Sequence, residues 1–207
     1  METCGGILAD RVLRPGVSLE RFVLTQADVP AGYVGGALTS IPAAGESAPT
    51  GSQAAFYASV PSTVPVAHVT FTVGPADQSA PVAGSTYIAI DETIGMVRST
   101  SEAAQLASQM RSALESPQFL VSGQTSPLPG AVPGLVAVES TGSSRAGYVA
   151  SATVVASKGP YVVNVRWSTQ ASLAYDQPPS PGEGPPPLPG PSEMAQTVDA
   201  ALGHLPG

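Results

Sequence analysis

Cys4 is the single cysteine among 207 residues, so the chain cannot close a disulfide within itself. Small secreted domains often use disulfides to compensate for a small core, and this chain must instead be held together by apolar packing. Its size permits this, because 207 residues suit one domain and 43% of them are hydrophobic. We therefore expect a single domain over residues 18–207, preceded by a flexible tether over residues 1–17.

The charge composition narrows the classes of function. Charged residues make up 11% of the chain, against roughly 25% in an average soluble domain. The net charge is −7, and the eight Lys and Arg residues form no basic run. Nucleic acid is therefore not an expected partner, because phosphate neutralisation needs clustered basic side chains. One Lys beside 22 Gly and 22 Pro residues indicates a secreted or envelope protein of a GC-rich bacterium.

Cys4 stands directly before Gly5 and Gly6, which favours a lipid attachment site at the start of a flexible tether. In this interpretation the secretory signal has been removed, and the lipid holds the protein at the outer face of the cytoplasmic membrane; otherwise the protein is secreted. The alternative for Cys4 is an exposed thiol in a disordered tail. No apolar stretch reaches the roughly 18 residues that a membrane span requires.

Alternation of apolar and polar residues predicts two strands in the first half of the chain. In residues 66–73 the apolar side chains share one face, and His68 lies on the opposite, wetter face. Residues 86–99 are also rich in strand-forming types, with a turn or bulge expected between Asp91 and Gly95.

A β-hairpin is predicted in the second half of the chain. The phrases "GYVASATVVAS" and "PYVVNVRWST" flank Lys158-Gly159, which we expect to form a two-residue turn. Trp167, the single tryptophan, ends the second of these strands and is expected to be half exposed.

Two helices are predicted from apolar stripes and end signals. In residues 99–116, Ser99 and Glu102 have the spacing of a capping box, and apolar residues recur at the helical period. The last helix is expected over residues 192–205 with Ser192 as its cap. Shorter helical turns are predicted after Ser18 and between Thr25 and Asp28.

The order of these elements predicts an α+β fold, an antiparallel β-sheet with helices packed on it. Residues 176–191, "DQPPSPGEGPPPLPGP", interrupt it as a Pro-rich loop. This loop either lies extended over the surface or serves as a docking segment, because polyproline segments bind with little ordering cost.

No set of residues in the sequence matches a known catalytic or metal-binding pattern. We therefore expect no enzyme, no cofactor and no metal site. No His, Cys or carboxylate cluster has the spacing of a metal site. His204 is expected at a helix C-terminus, where a cation is favoured. An apolar cleft between sheet and helices remains a candidate ligand site, the alternative being that its lining residues form the core. The candidate lining residues are Phe71, Met110, Tyr161 and Trp167.

Several phrases resemble, in order, those of secreted actinobacterial envelope lipoproteins and sensor-like ectodomains. They are "LTQADVPAGY", "SEAAQLASQM", "LPGAVPGLVAVES", "VVASKGPYVVNVRWST" and "EMAQTVDAAL", which together cover about residues 18–205. The resemblance implies a fold similar to the PsbP-like α/β/α sandwich and a place in the cell envelope. It carries no shared catalytic motif, and the Pro-rich loop is longer than the resemblance implies.

These observations predict a non-catalytic envelope lipoprotein that acts by binding, as an accessory subunit docked on a membrane protein complex. The first alternative is a carrier or sensor of an apolar small molecule or envelope lipid. The second alternative is a hydrolase, which requires His68 within hydrogen-bond reach of a serine and a carboxylate.

Overall fold

The computed structural model describes residues 18–35, 65–73, 86–114, 137–144, 147–172 and 187–206. Within these ranges the chain forms a six-stranded antiparallel sheet with the strand order β1-β2-β3-β6-β5-β4. The strands are β1 Val34–Gly35, β2 Val66–Val73, β3 Thr86–Met96, β4 Ala137–Ser144, β5 Gly147–Lys158 and β6 Tyr161–Ser172. The helices are a 3₁₀-helix, Leu19–Phe22, and two α-helices, α1 Thr100–Leu114 and α2 Pro191–His204. The predicted α+β fold is confirmed.

Strand β2 occupies the predicted residues, and its alternation sets the faces of the sheet. Ala67, Val69 and Phe71 are buried on one face, and His68 points to the other. Strand β2 pairs with β3 over the full length of β2, with Val69 opposite Glu92. The turn or bulge expected between Asp91 and Gly95 is wrong, because those residues continue an unbroken strand paired on both sides.

The β5–β6 hairpin is confirmed, with a turn one residue later than predicted. Lys158 is the last residue of β5 and pairs with Tyr161, so Gly159 and Pro160 form the turn. Gly159 has a φ of 55°, and Pro at the next position fixes a negative φ. This combination is the requirement of a type II′ turn, which suits the twist of a hairpin.

Helix α1 begins as predicted from its capping residues. The backbone N–H of Glu102 donates to the Ser99 hydroxyl over 3.1 Å, and the Glu102 carboxylate accepts from the backbone N–H of Arg98. The apolar stripe of the helix is buried at Ala103, Leu106, Ala107 and Met110. The helix contacts β5 and β6.

Helix α2 begins one residue earlier than predicted, and Ser192 is not its cap. Gly190 is the N-cap, Pro191 is the first helical residue, and the Glu193 carboxylate accepts from the backbone N–H of Gly190 over 3.0 Å. Proline is well suited to this first position because its missing N–H would have no helical partner there. The Pro-rich loop thus ends in the start of α2, and its residues 176–186 lie outside the described residues.

The helices pack on opposite faces of the sheet. One core cluster joins α2 and the 3₁₀-helix to the alternate residues of β2, β3, β5 and β6, and we call this side the α2 face. The buried residues of α1 lie outside that cluster, with Val155 and Val162 on the alternate positions of β5 and β6. We call this side the α1 face.

The segment of residues 18–35 crosses the α2 face, and we call it the strap. It contains the 3₁₀-helix, a turn at 26–28 and the short β1. The turn between Thr25 and Asp28 is confirmed by a backbone hydrogen bond of 3.0 Å. Ser18 precedes the 3₁₀-helix as expected, although its hydroxyl donates to the Glu20 carboxylate and caps no backbone N–H.

No helix among the described residues combines the length and the apolar character that crossing a membrane would take.

Candidate functional site

The four candidate cleft residues do not lie together. Phe71, Tyr161 and Trp167 belong to the core cluster of the α2 face. Met110 lies on α1, so the sheet separates it from the other three. Trp167 is 1% exposed, not half exposed, because β6 continues past it to Ser172. These aromatic side chains therefore form part of the packed core, and one cleft lined by all four is not formed.

His68 lies on the α1 face within a hydrogen-bonded row of polar side chains. Its Nε2 is 2.9 Å from the Thr70 hydroxyl, and its Nδ1 is 3.0 Å from the Thr93 hydroxyl. Thr70 in turn donates to the Asp91 carboxylate over 2.7 Å. His68 is only 7% exposed, so the expected wet position is wrong. The polar side chains of β2 and β3 satisfy one another instead of facing water.

The hydrogen bond from Thr70 to Asp91 favours one tautomer of His68. Thr70 gives its one hydroxyl proton to Asp91, so it accepts from His68 and Nε2 carries the ring proton. Nδ1 then accepts from Thr93. Burial lowers the pKa of His68, which favours a neutral ring, while the Asp91 carboxylate and a hydrogen bond to the Glu92 backbone raise the pKa in part.

This geometry differs from the arrangement that hydrolysis requires. Both ring nitrogens of His68 are engaged by threonine hydroxyls, and the Asp91 carboxylate is 3.8 Å away with Thr70 between them. The hydroxyl in contact with Nδ1 of His68 belongs to Thr93. Thr93 is 1% exposed, so a substrate cannot reach this hydroxyl in this conformation.

Glu92 is the most unusual side chain of the α2 face. It is fully buried among apolar residues, and its Oε2 accepts a hydrogen bond from the backbone N–H of Leu24 in the strap. Its Oε1 has no hydrogen-bond partner within the described part of the chain. Burial raises the pKa of Glu92 to about 8, the Leu24 N–H lowers it in part, and the negative charge of Asp28 raises it further. Glu92 is therefore a neutral acid at pH 7.

Glu92 was not among the residues predicted for a site, although the sequence of β3 contains a signal for it. Ile88, Ile90 and Ile94 alternate on the core-facing positions of this strand, and Glu92 occupies the position between them. A carboxylate in phase with an apolar face is the pattern that marks a buried acid. The expected break at Asp91–Gly95 concealed this phase.

Two further contacts join α2 to the strap and to the hairpin. The Asp28 carboxylate lies 3.0 Å from His204 Nε2 and accepts from the Thr25 N–H and hydroxyl over 2.7 Å and 2.6 Å. These hydrogen bonds lower the pKa of Asp28 against the opposing effect of burial. The Lys158 ammonium donates to the carbonyl oxygens of Leu202 and Leu205 at the end of α2. Lys158 thus places a donor at the C-terminal end of α2, and His204 is the last residue of this helix, the position expected from the sequence.

Two further sites considered in the sequence were a metal site and the lipid attachment site at Cys4. Across the described ranges, no group of three His, Cys, Asp or Glu side chains is placed to hold a metal ion. Cys4 lies outside the described residues.

The chain was also compared with known proteins. No protein-family model, no curated protein and no solved structure matches it.

Proposed function

We propose that this chain is a non-catalytic lipoprotein of the cell envelope that acts by binding, as an accessory subunit docked on a membrane protein complex. The observation that carries the proposal is the filling of the α2 face by the protein's own side chains. Phe71, Tyr161 and Trp167 pack against the strap and α2, so these three candidate ligand-binding side chains are already used within the described part of the chain. Binding then takes place at the surface.

The sequence supports the location in the envelope. Cys4 before two glycines has the position of a lipid-bearing residue ahead of a tether, and the composition is poor in Lys and charge. Helices on both faces of an antiparallel sheet agree with a PsbP-like sandwich, which we propose as the fold family on the resemblance of the quoted phrases.

The described surface indicates the character of the docking contacts. Val34 in β1 is 72% exposed and is the exposed large hydrophobic side chain of the described ranges. The half-buried Asp91, Arg166 and Ser168 lie on the α1 face away from α2. Contacts made by this part of the chain would therefore be mainly polar, as at many non-obligate interfaces.

The test is purification of the native protein from its own cells in mild detergent, followed by intact mass measurement and identification of co-purifying subunits. We expect a diacyl or triacyl mass on Cys4 and stoichiometric membrane protein subunits. The matched control is a Cys4→Ser variant expressed in the same cells, which should lose both the acyl mass and membrane partition. An unmodified chain that runs alone at wild-type abundance would refute the proposal.

A second candidate is a carrier of an apolar small molecule or envelope lipid. This candidate requires the strap to lift, because the apolar side chains beneath it, which include Phe71 and Trp167, are covered in this structure. Native mass spectrometry of the purified protein distinguishes the candidates, because a carrier retains a small apolar molecule and a docked subunit retains a protein.

A further inference from the structure

We propose that the strap can detach from the α2 face and that Glu92 acts as its latch: the neutral carboxylic acid holds the strap in place, and deprotonation favours its release. The strap places six apolar side chains in the core cluster and contacts β2, β3 and α2. Phe22 meets Tyr161 of β6 edge to face, with the ring centroids 5.7 Å apart. The buried side chains of the strap are Leu19, Phe22, Val23, Leu24, Val29 and Tyr33.

The strap is joined to the sheet by few backbone hydrogen bonds. Its strand β1 pairs with β2 at two positions, Val34 with Thr72 and Gly35 with Phe71, whereas β2 and β3 pair at eight. Local openings occur where few backbone hydrogen bonds must break, and lifting the strap would interrupt strand pairing at only these two positions.

The strap is also braced within itself. Thr25 bonds to Asp28, and the Gln26 amide donates to the carbonyl oxygen of Tyr33 over 2.6 Å. These bonds join residues of the strap only, so they can survive its release. The strap can therefore move as one unit.

Glu92 connects the strap to the centre of the sheet. It lies between Val69 of β2 and Val165 of β6, where an apolar side chain would fit the surrounding pattern. Its one hydrogen bond within the described residues comes from the backbone of Leu24 in the strap. A buried carboxyl is tolerated here only while it is neutral, because an isolated buried charge costs far more than one hydrogen bond returns.

The sign of the pH dependence follows from the two states of Glu92. Under the strap its pKa is about 8, and after release it returns to the ordinary 4.5. The closed state therefore binds one more proton than the open state at pH values between these limits. The equilibrium constant for opening should rise about tenfold per pH unit between about pH 5 and pH 8 and level off above.

Other ionisable groups surround the contact between Glu92 and Leu24, and their charges also contribute to its pH dependence. Asp28 faces Glu92 with a negative charge, and Asp28 itself is paired with His204. Tyr33 has its pKa raised by burial and by Glu193. The described ionisable side chains on the elements packed around Glu92 are Glu20, Arg21, Asp28, Tyr33, Lys158, Tyr161, Glu193, Asp199 and His204, together with His68, Asp91 and Arg166 on the opposite face of the sheet.

The experiment is amide hydrogen exchange of the whole chain from pH 5 to pH 9, corrected for the intrinsic exchange rate. The Leu24 amide is the direct probe, because it is the donor to Glu92. In the wild type we expect protection of Leu24 to fall by about two to three orders of magnitude between pH 5 and pH 8. Protection of Val163 and Val165 in β6 should change much less.

Two variants isolate the latch. Glu92→Gln keeps the acceptor for Leu24 but cannot ionise, so its strap protection should vary less than about threefold over the same range. Asp91→Asn is the matched control, since Asp91 is the neighbouring carboxylate and points to the α1 face. It should retain the wild-type pH dependence of the strap. An unchanged pH dependence in Glu92→Gln, or loss of strap and β6 protection together, would overturn the proposal.

A spectroscopic measurement tests the protonation of Glu92 in the wild type directly, so the proposal can be tested even if the Glu92→Gln variant folds poorly. Difference infrared spectra of wild type against Glu92→Gln at pH 7 should show the carbonyl band of a protonated carboxylic acid, which disappears above about pH 9. Absence of that band in the wild type at pH 7 would also overturn the proposal, whatever the fold of the variant.

Discussion

Lys158 donates hydrogen bonds from its ammonium group to the carbonyl oxygens of Leu202 and Leu205, each over 2.9 Å. The single lysine of the chain thus joins the β5–β6 hairpin to the end of α2. These carbonyl oxygens lie at the helix end, where the helix dipole favours a cation, and the Leu202 oxygen also accepts from the backbone N–H of Leu205 over 3.3 Å.

Replacement of Lys158 by Met should destabilise the protein by about 1–3 kcal/mol, because it keeps the apolar stem and removes both charge-assisted hydrogen bonds. The measurement is denaturant unfolding at pH 7. Lys158→Arg retains the charge and should recover part of the loss. A Lys158→Met variant as stable as the wild type would show that water replaces these bonds without cost.

The Asp28–His204 pair predicts an acid-sensitive attachment of the strap to α2. The pKa of Asp28 is lowered in the folded protein, so its contribution is present above the ordinary value of 3.8 and is lost as the pH falls through the folded value. Asp28→Asn should cost about 1–2 kcal/mol at pH 7, because Asp28 accepts from Thr25 as well as from His204. The difference from wild type should shrink below about pH 3.

A double-mutant cycle separates the two partners of Asp28. With His204→Gln as the second variant, we expect a coupling energy of about 0.5–1 kcal/mol at pH 7, since the pair is partly exposed. A coupling energy of zero would leave the Thr25 contacts as the sole stabilising role of Asp28.

The placement of Trp167 and Met110 on opposite faces predicts independent effects on stability. Trp167→Phe and Met110→Ala should each destabilise by about 1–4 kcal/mol, because both side chains are buried. Their effects should add within about 0.5 kcal/mol in the double variant. A larger coupling would indicate that the two side chains share one cavity after all.

His68 predicts a loss of stability on mild acidification. Burial lowers its pKa in the folded state below the ordinary 6.5, so the unfolded chain binds more protons as the pH falls below that value. The contribution of His68 to stability should therefore decline from about pH 6.5 downward, opposite in sign to the contribution of Glu92, whose raised pKa makes the folded state bind an extra proton in this range. NMR titration of the two imidazoles checks this, because His68 should titrate at lower pH than an unfolded histidine. A His68 resonance that titrates above 6.5 would contradict the assigned tautomer and burial.

The strands and helices with clear periodicity were predictable. The alternation in residues 66–73 predicted strand β2 and its core-facing side. The capping residue Ser99 and the apolar stripe that follows it predicted helix α1. Local sequence also indicated the hairpin, but not its register. The turn moved to Gly159-Pro160 because Gly supplies the positive φ at the first turn position and Pro the negative φ at the second.

The candidate site was less predictable, since burial depends on which elements meet. Trp167 near the end of a predicted strand was expected to be half exposed, and the longer β6 with its neighbours buries it. His68 was expected to be wet, and the threonines that surround it come from β3 as well as β2. The contact between His68 and Thr93 joins positions 25 residues apart, and no local sequence pattern encodes it.

By itself, the sequence determined the α+β class, the absence of an internal disulfide and the core-facing sides of β2, α1 and α2. These properties depend on composition and on periods of two or 3.6 residues, which a single segment carries. Only the tertiary structure decided that Glu92 lies under the strap, bonded to a backbone group 68 residues away. The charge state of a carboxyl depends on its surroundings, and those surroundings exist only after the strap, β3 and β6 have packed together.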